Sequence, residues 1–338
     1  MTGSGTVDTE AATPEIVIFG QLTLDNVITA SGELLPQSCG GNAVYAAMGA
    51  RVWSSRVGVV SCYGGGYPKD GHDILRQQGI DTEGVRVRQK PHRLNVALAY
   101  RPDGSRMRRF PPSLVERIPE ADRERFIDCT ILADRLEREL EFSPDSRDVP
   151  ESWWKSIFGV HCAMMPFEIH REIAAACRRR TGTGIWVQVD APWFQAPDRA
   201  RDRVAPLLAD IDVFLPSEID LDDFGTAAPA DAVVGSVLDL GAKSVVLKRG
   251  SDGCRIYRQG EGLIGEVPAV RVTAEDPTGA GDAFCGGFLA GMQITRDILA
   301  AARFGNVAAS FAVEKPGLGR LLDVKRDEAL ARLKSIGG

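Results

Sequence analysis

The run Glu275-Asp-Pro-Thr-Gly-Ala-Gly-Asp-Ala-Phe-Cys-Gly-Gly-Phe-Leu-Ala-Gly-Met292 limits what this chain can fold into more than any other. It starts with turn chemistry, Pro277 followed by Gly279 and Gly281. It continues as a small, apolar segment suited to a helix packed closely on a sheet. A glycine turn feeding a helix leaves several backbone N–H groups without intrahelical partners. The helix dipole adds partial positive charge there, so the turn is a candidate anion site. Asp282 would repel an anion unless its role is to accept a proton. A hydroxyl held between Asp282 and an anion on the Gly279–Gly281 amides would be set up for phosphoryl transfer. The alternative is a glycine-rich turn before a buried helix, with Asp282 as its N-cap. Phe284 stands where a dinucleotide fingerprint needs its third glycine, and no Gly-Lys-Ser/Thr occurs. Neither a Rossmann site nor a P-loop is therefore indicated.

Asp276-Pro-Thr-Gly-Ala-Gly-Asp282 resembles the C-terminal signature of the ribokinase-like sugar kinases, the PfkB family. The resemblance implies that Asp282 is the catalytic base and that the Gly279, Ala280 and Gly281 amides hold the transferred phosphate. It implies ATP and Mg²⁺ as cofactors. Lys315-Pro-Gly-Leu-Gly319 resembles the family loop that helps bind a monovalent cation, which puts K⁺ near Asp276, Thr278 and Gly317. The Ser or Cys usual just beyond that loop is replaced by Arg320.

The resemblance extends along most of the chain. Asp25, six residues after the apolar run Ile16–Phe19, is a turn residue on its own terms. In the family an Asp here holds sugar hydroxyls, and two acceptor oxygens suit a diol. Gly40-Gly41-Asn42 precedes a small-residue helix, where the family lets the backbone approach the sugar. The family's Asn four residues beyond the second glycine is Tyr45 here. Pro216-Ser-Glu-Ile-Asp220 corresponds to the family's Pro-Asn-x-x-Glu, which organises Mg²⁺ and phosphates, with Ser217 for Asn and Asp220 for Glu. Glu218 and Asp220 are expected to support Mg²⁺ through water, because Mg²⁺ keeps several waters readily. Lys248, Gly250 and Gly253 match the family segment that borders ATP. Asn306 lies at the family's spacing from Asp282, where it borders the nucleotide, and is otherwise a polar residue on a helix. Asp190-Ala-Pro resembles the family's Asp-Pro-Asn after a central strand.

Apolar runs expected as strands (16–19, 57–61, 160–164, 185–189, 213–215, 244–248) alternate with segments of helical spacing. The expected fold is α/β, a doubly wound, mostly parallel sheet with helices on both faces and a small β lid. Residues 1–13 read as a disordered tail and 14–338 as one kinase domain, with lid segments at about 26–38 and 93–111. In the second lid segment Leu94 to Tyr100 alternates, Pro102-Asp103-Gly104 turns, and Ser105 to Phe110 returns. Family lids often pair between subunits, which implies a homodimer. Arg106, Arg108 and Arg109 on the lid are candidates to meet a sugar acid, or simply solvated. Arg178 to Arg180 read as the solvated end of a helix, and residues 111–150 as an irregular, charged segment with one helix near Ile131 to Leu140.

Composition excludes other classes. The net charge of −6 and pI near 5.4 give no basic surface for nucleic acid. Seven dispersed cysteines form no Cys-x-x-Cys, which argues against a zinc site and suits reduced thiols in the cytosol. No signal-peptide core and no apolar run near the ~20 residues of a membrane span is present, so a cytoplasmic protein is expected. The reading is an ATP-dependent kinase of a small sugar or sugar acid. A nucleoside kinase is one alternative, with Tyr45, Trp53 or Phe110 as base clamp. A catalytically weak sugar- or nucleotide-binding relative is another.

Overall fold

The computed structural model describes residues 13–102, 107, 110–180, 184–193, 200–221 and 229–337. The N-terminal tail through residue 12, most of the lid turn, and Arg106, Arg108 and Arg109 lie outside the described residues. The strands are β1 (Ile16–Phe19), β2 (Thr23–Ile28), β3 (Leu34–Gly40), β4 (Val57–Gly65), β5 (Val85–Pro91), β6 (Asn95–Ala99), β7 (Gly159–Cys162), β8 (Trp186–Val189), β9 (Val213–Phe214), β10 (Ser244–Lys248), β11 (Cys254–Arg258) and β12 (Gly262–Val267). The helices are α1 (Asn42–Arg51), α2 (Lys69–Gln77), α3 (Pro112–Val115), α4 (Arg135–Glu141), α5 (Phe167–Arg179), α6 (Ala200–Asp210), α7 (Glu218–Leu221), α8 (Ala230–Asp239), α9 (Ala280–Thr295), α10 (Ile298–Ala312) and α11 (Arg326–Ser335).

The main sheet runs β12-β11-β10-β9-β8-β7-β1-β4-β5. It is parallel from β5 to β10, and β11 and β12 add antiparallel at one edge. Apolar β1 and β10 are buried throughout, as strands covered on both faces must be. Alternation along β1 feeds both sides. Val17 and Phe19 enter a core with α5 and α6, whereas Ile16 and Ile18 enter one with α1 and α10. The run of small residues in α9 is explained by its neighbour α1. A Cβ on Gly286 would fall 1.7 Å from the Ala46 carbonyl oxygen, so the two helix backbones touch there.

The lid is a separate three-stranded sheet in the order β3-β2-β6. β2 and β3 are antiparallel, and β2 pairs with β6 in parallel. Of the expected returning strand, the Met107 N–H donates to the Ala99 carbonyl at 2.7 Å. The charged 111–150 segment is not irregular filler. Its Leu114, Ile118 and Phe126 pack on Ile28, Ala97 and Ala99 of the lid. The helix expected near Ile131 to Leu140 starts later, at Arg135. Asp128 accepts the Thr130 N–H at 2.9 Å and caps a separate 3₁₀ turn over Cys129–Ile131. The strand expected at 57–61 runs further, because β4 continues to Gly65 with a bulge against β5. Arg178 departs from the expected solvated helix end. Its guanidinium donates to the Asp210 and Ile185 carbonyls at 2.8 and 2.9 Å and pairs with Asp212 at 2.7 Å.

Candidate active site

Asp282 sits in the first turn of α9, opposite the lid. Gly279 precedes the helix with φ +74°, and a Cβ there would fall 2.1 Å from the Tyr45 ring. Both the left-handed backbone and the pressed-in tyrosine therefore demand glycine. Tyr45, the residue that departs from the family pattern, is the buried floor on which this turn rests. The Ala280 N–H bends back to the Pro277 carbonyl at 3.2 Å, and the Ala283 N–H donates to Gly279 at 2.8 Å. Among the described residues no acceptor takes the N–H groups of Gly279, Gly281 or Asp282. The available donors are thus these three, and the Ala280 amide is spent inside the turn.

A cavity of about 220 Å³ joins this turn to the lid. Asp282 and Gly279 line it together with Asp25, Gly41 and Asn42. Asp25 lies within lid strand β2, not at the end of β1. Its carboxylate accepts the Thr23 hydroxyl at 2.5 Å, and a Cβ on Gly40 would meet its Oδ2 at 2.0 Å. Asn42 accepts the Gln21 N–H at 2.8 Å and donates to the Met164 carbonyl at 2.6 Å, so its side chain ties three walls together. Burial pushes the Asp282 carboxyl well above the ordinary carboxylate value. The charge of Asp190 adds to the rise, and the Lys248 ammonium opposes it. A carboxyl tuned upward is suited to taking a proton near neutral pH.

Lys248, the last residue of β10, is buried against the first turns of α9. Its ammonium donates to both Asp190 oxygens, at 2.9 and 2.8 Å, and lies 3.6 Å from the Cys285 sulfur. A Cβ on Gly281 would be 3.5 Å from its Nζ. Burial works against the ammonium, but the Asp190 carboxylate outweighs it and keeps Lys248 charged. Gly250 and Gly253 follow β10 with φ +53° and +89°. Asn306 is buried in α10, and its amide donates to the Val267 and Pro268 carbonyls at 3.2 and 3.0 Å. Its amide is therefore committed to joining α10 to the strand β12.

Ser217 and Asp220 form a helix cap. Asp220 Oδ2 accepts the Ser217 N–H at 2.7 Å and its hydroxyl at 2.6 Å. Glu218 pairs with Arg249 at 3.1 Å. One oxygen of each carboxylate remains uncommitted among the described residues, and no group of three His, Cys, Asp or Glu there can cage a metal. That donor set fits a hydrated Mg²⁺ held mainly by phosphates, not a protein-caged one. Asp276, Thr278 and Gly317 do converge. Asp276 Oδ1 accepts the Thr278 N–H and hydroxyl at 3.0 and 2.6 Å, and its Oδ2 accepts the Gly317 N–H at 3.2 Å. The Thr278 hydroxyl also meets the Tyr100 hydroxyl at 2.9 Å, linking the signature turn to the second lid segment just past β6.

Sequence reasoning missed one wall of the cavity. Cys129, Thr130, Arg135 and Glu139 line it from the 111–150 segment. The available signal was the Arg135–Glu139 spacing, an i,i+4 ion pair on α4 at 2.7 Å.

The sheet with its small lid is the ribokinase-like fold. A putative Ribokinase II from E. coli in its apo form superposes with a TM-score of 0.69 at 18% identity, covering 95% of this chain and 99% of that one. A fructokinase with bound ATP from Xylella fastidiosa gives 0.67 at 18% identity, covering 96% and 99%. The pfkB family carbohydrate kinase profile matches residues 157–325, and the chain belongs to that family. A cytidine kinase of Thermococcus kodakarensis is 24% identical over 90% of this chain and 97% of its own length. A 2-dehydro-3-deoxygluconokinase of Dickeya dadantii is 32% identical over 43% of this chain and 48% of its own length. The chain is a phosphotransferase, a kinase of the group that acts on sugars or nucleosides.

Proposed function

We propose that this enzyme transfers the γ-phosphate of ATP to a hydroxyl of a small sugar or sugar acid. The observation that carries the reading is the placement of Asp282 and Gly279, both with uncommitted amides, on the same cavity as Asp25 and Asn42. Asp25 orients the substrate through its hydroxyls. Asp282 accepts the proton of the hydroxyl that attacks. The Gly279, Gly281 and Asp282 N–H groups stabilise the oxygens of the transferring phosphoryl group. Mg²⁺, when bound, supplies charge neutralisation between phosphates, with Glu218 and Asp220 holding its waters. Lys248, Gly250 and Gly253 border the phosphate donor, and Asp276, Thr278 and Gly317 form the K⁺ loop.

The Dickeya relative's name favours a sugar acid, and the Thermococcus relative's name favours a nucleoside. A nucleoside needs a base clamp, and Trp53 is not free to be one. It is buried, 4.6 Å from the Phe304 ring, and donates to the Phe304 carbonyl at 3.1 Å. We further propose a cytoplasmic homodimer joined through the lid, supported by seven free cysteines and by β3, which pairs only with β2 among the described residues.

ADP release across sugars, sugar acids and nucleosides tests the proposal. Mg²⁺-dependent turnover of a sugar or sugar acid is expected. Turnover of nucleosides alone would replace it with the nucleoside reading. Ligand-induced thermal shifts without any turnover would leave a binding protein.

A further inference from the structure

We propose that the cavity takes a polyhydroxy carboxylate and that Arg135 is the residue that holds its carboxylate. The proposal rests on the kinase reading above for where the reacting hydroxyl lies, and it narrows the substrate to the sugar acids.

Arg135 opens α4 and lines the cavity. Its guanidinium is fixed from several directions. It lies 4.0 Å over the Trp193 ring, its Nε donates to Glu139 Oε1 at 2.7 Å, and its Nη1 reaches the Thr130 carbonyl at 3.4 Å. Glu139 is itself held, because its second oxygen accepts the Trp193 indole N–H and its carbonyl accepts the Gln21 amide at 3.2 Å. A guanidinium has five N–H donors. Two are used here, and the other three, both on Nη2 and one on Nη1, have no acceptor among the described residues. The adjoining wall is apolar, built from Leu94, Val96 and Cys129, and offers none.

A planar pair of charged donors, already rigid before the ligand arrives, matches a carboxylate better than a hydroxyl. The other carboxylates on the cavity set the orientation. Asp25 and Asp282 accept from hydroxyls and repel an anion, while Glu139 is occupied by Arg135 and Trp193. Among the described residues Arg135 is the one cationic side chain on the lining, so an anionic end is drawn there and the hydroxyl end of the same molecule turns toward Asp282. A neutral sugar leaves those donors facing water and gains nothing from them.

The test pairs acids with neutral sugars of equal length, D-gluconate with D-glucose and D-ribonate with D-ribose, and adds 2-dehydro-3-deoxygluconate. Binding is measured by calorimetry and turnover by ADP release, for the parent, Arg135→Gln, Glu139→Gln and Arg135→Gln/Glu139→Gln. The parent is expected to favour the best acid over its neutral partner by about 10- to 100-fold in affinity, the scale of a hydrogen bond to a charged group. Arg135→Gln and the double variant should bring that ratio close to one. Glu139→Gln should keep the preference, since it removes a neighbour and not the donor. A merely structural role for Arg135 would weaken acid and neutral ligands alike in all three variants, and that result overturns the proposal. So does a parent that binds no acid better than Arg135→Gln does. Turnover and binding are read separately. A parent that turns over its substrate but shows no acid preference refutes the Arg135 assignment alone, and acid-selective binding by the parent without ADP release refutes only the kinase reading.

Discussion

Replacing Lys248 with methionine keeps the length of the side chain and removes its charge. Lys248 and Asp190 are 10% and 6% exposed, so solvent screens their contact little. Asp190 then loses the donor shared by both its oxygens and keeps only the Ala191 N–H on Oδ1 at 2.8 Å and the Cys285 thiol 3.9 Å from Oδ2. Breaking a buried pair by removing one partner costs about 3–5 kcal/mol, because the remaining charge is left in a poor solvent. Unfolding entropy of about 2.1 cal/mol/K per residue over 338 residues gives roughly 0.7 kcal/mol/K. The Tm should therefore fall by about 4–7 °C. Lys248→Met/Asp190→Leu removes both charges, and hydrophobic replacement of a buried pair is often close to neutral, so it should recover most of the loss. Calorimetry on the three proteins decides it. Equal losses in single and double variants would refute the charge argument and assign the cost to packing. A second readout follows from the same geometry. The ammonium opposes the rise of the Asp282 carboxyl, so Lys248→Met should move the acid limb of kcat/KM to higher pH.

Asp25→Ala should raise the KM for the sugar substrate strongly and leave the KM for ATP near the parent value in initial-rate kinetics. Equal effects on both would remove Asp25 from the sugar site. Asp220→Ala should raise the Mg²⁺ concentration needed for half-maximal rate without abolishing turnover, because water-bridged support is only one contribution to the metal. An unchanged Mg²⁺ requirement would leave Asp220 only its capping of Ser217. Asp282→Asn should raise stability at neutral pH. The folded carboxyl titrates above its unfolded value, so ionising it costs the fold as pH rises through that interval. The Tm gap between variant and parent should be widest above the folded value and close as pH falls toward about 4, the unfolded carboxylate range. Parallel Tm curves across pH would contradict the burial argument.

The parallel sheet was legible because its strands carry continuous apolar runs, such as Ile16–Phe19, that only a doubly covered sheet can bury. The head of α9 was legible because glycine at 279 answers a local demand, a positive φ beside Tyr45. What escaped depended on partners distant in sequence. Asp25 follows an apolar strand closely enough to look like its end, but its pairing with Ser38 and Val96 places it in the lid. The substitutions at 217 and 220 show in sequence only as departures from the family's metal motif, yet in the structure they make a cap for α7. The Arg135 wall was hidden for the same reason. Nothing local tells that a charged helix will lie over the cavity with Trp193 stacked on it.

The most direct test of the account is single-turnover phosphoryl transfer by Asp282→Asn, with ATP and the best substrate from the panel. ATP affinity is measured alongside by calorimetry. With the fold and ATP binding retained, turnover should fall by ~10²–10⁴-fold, the scale of a lost general base. Turnover within a factor of a few of the parent would show that the proton leaves by another route and that Asp282 is not the base.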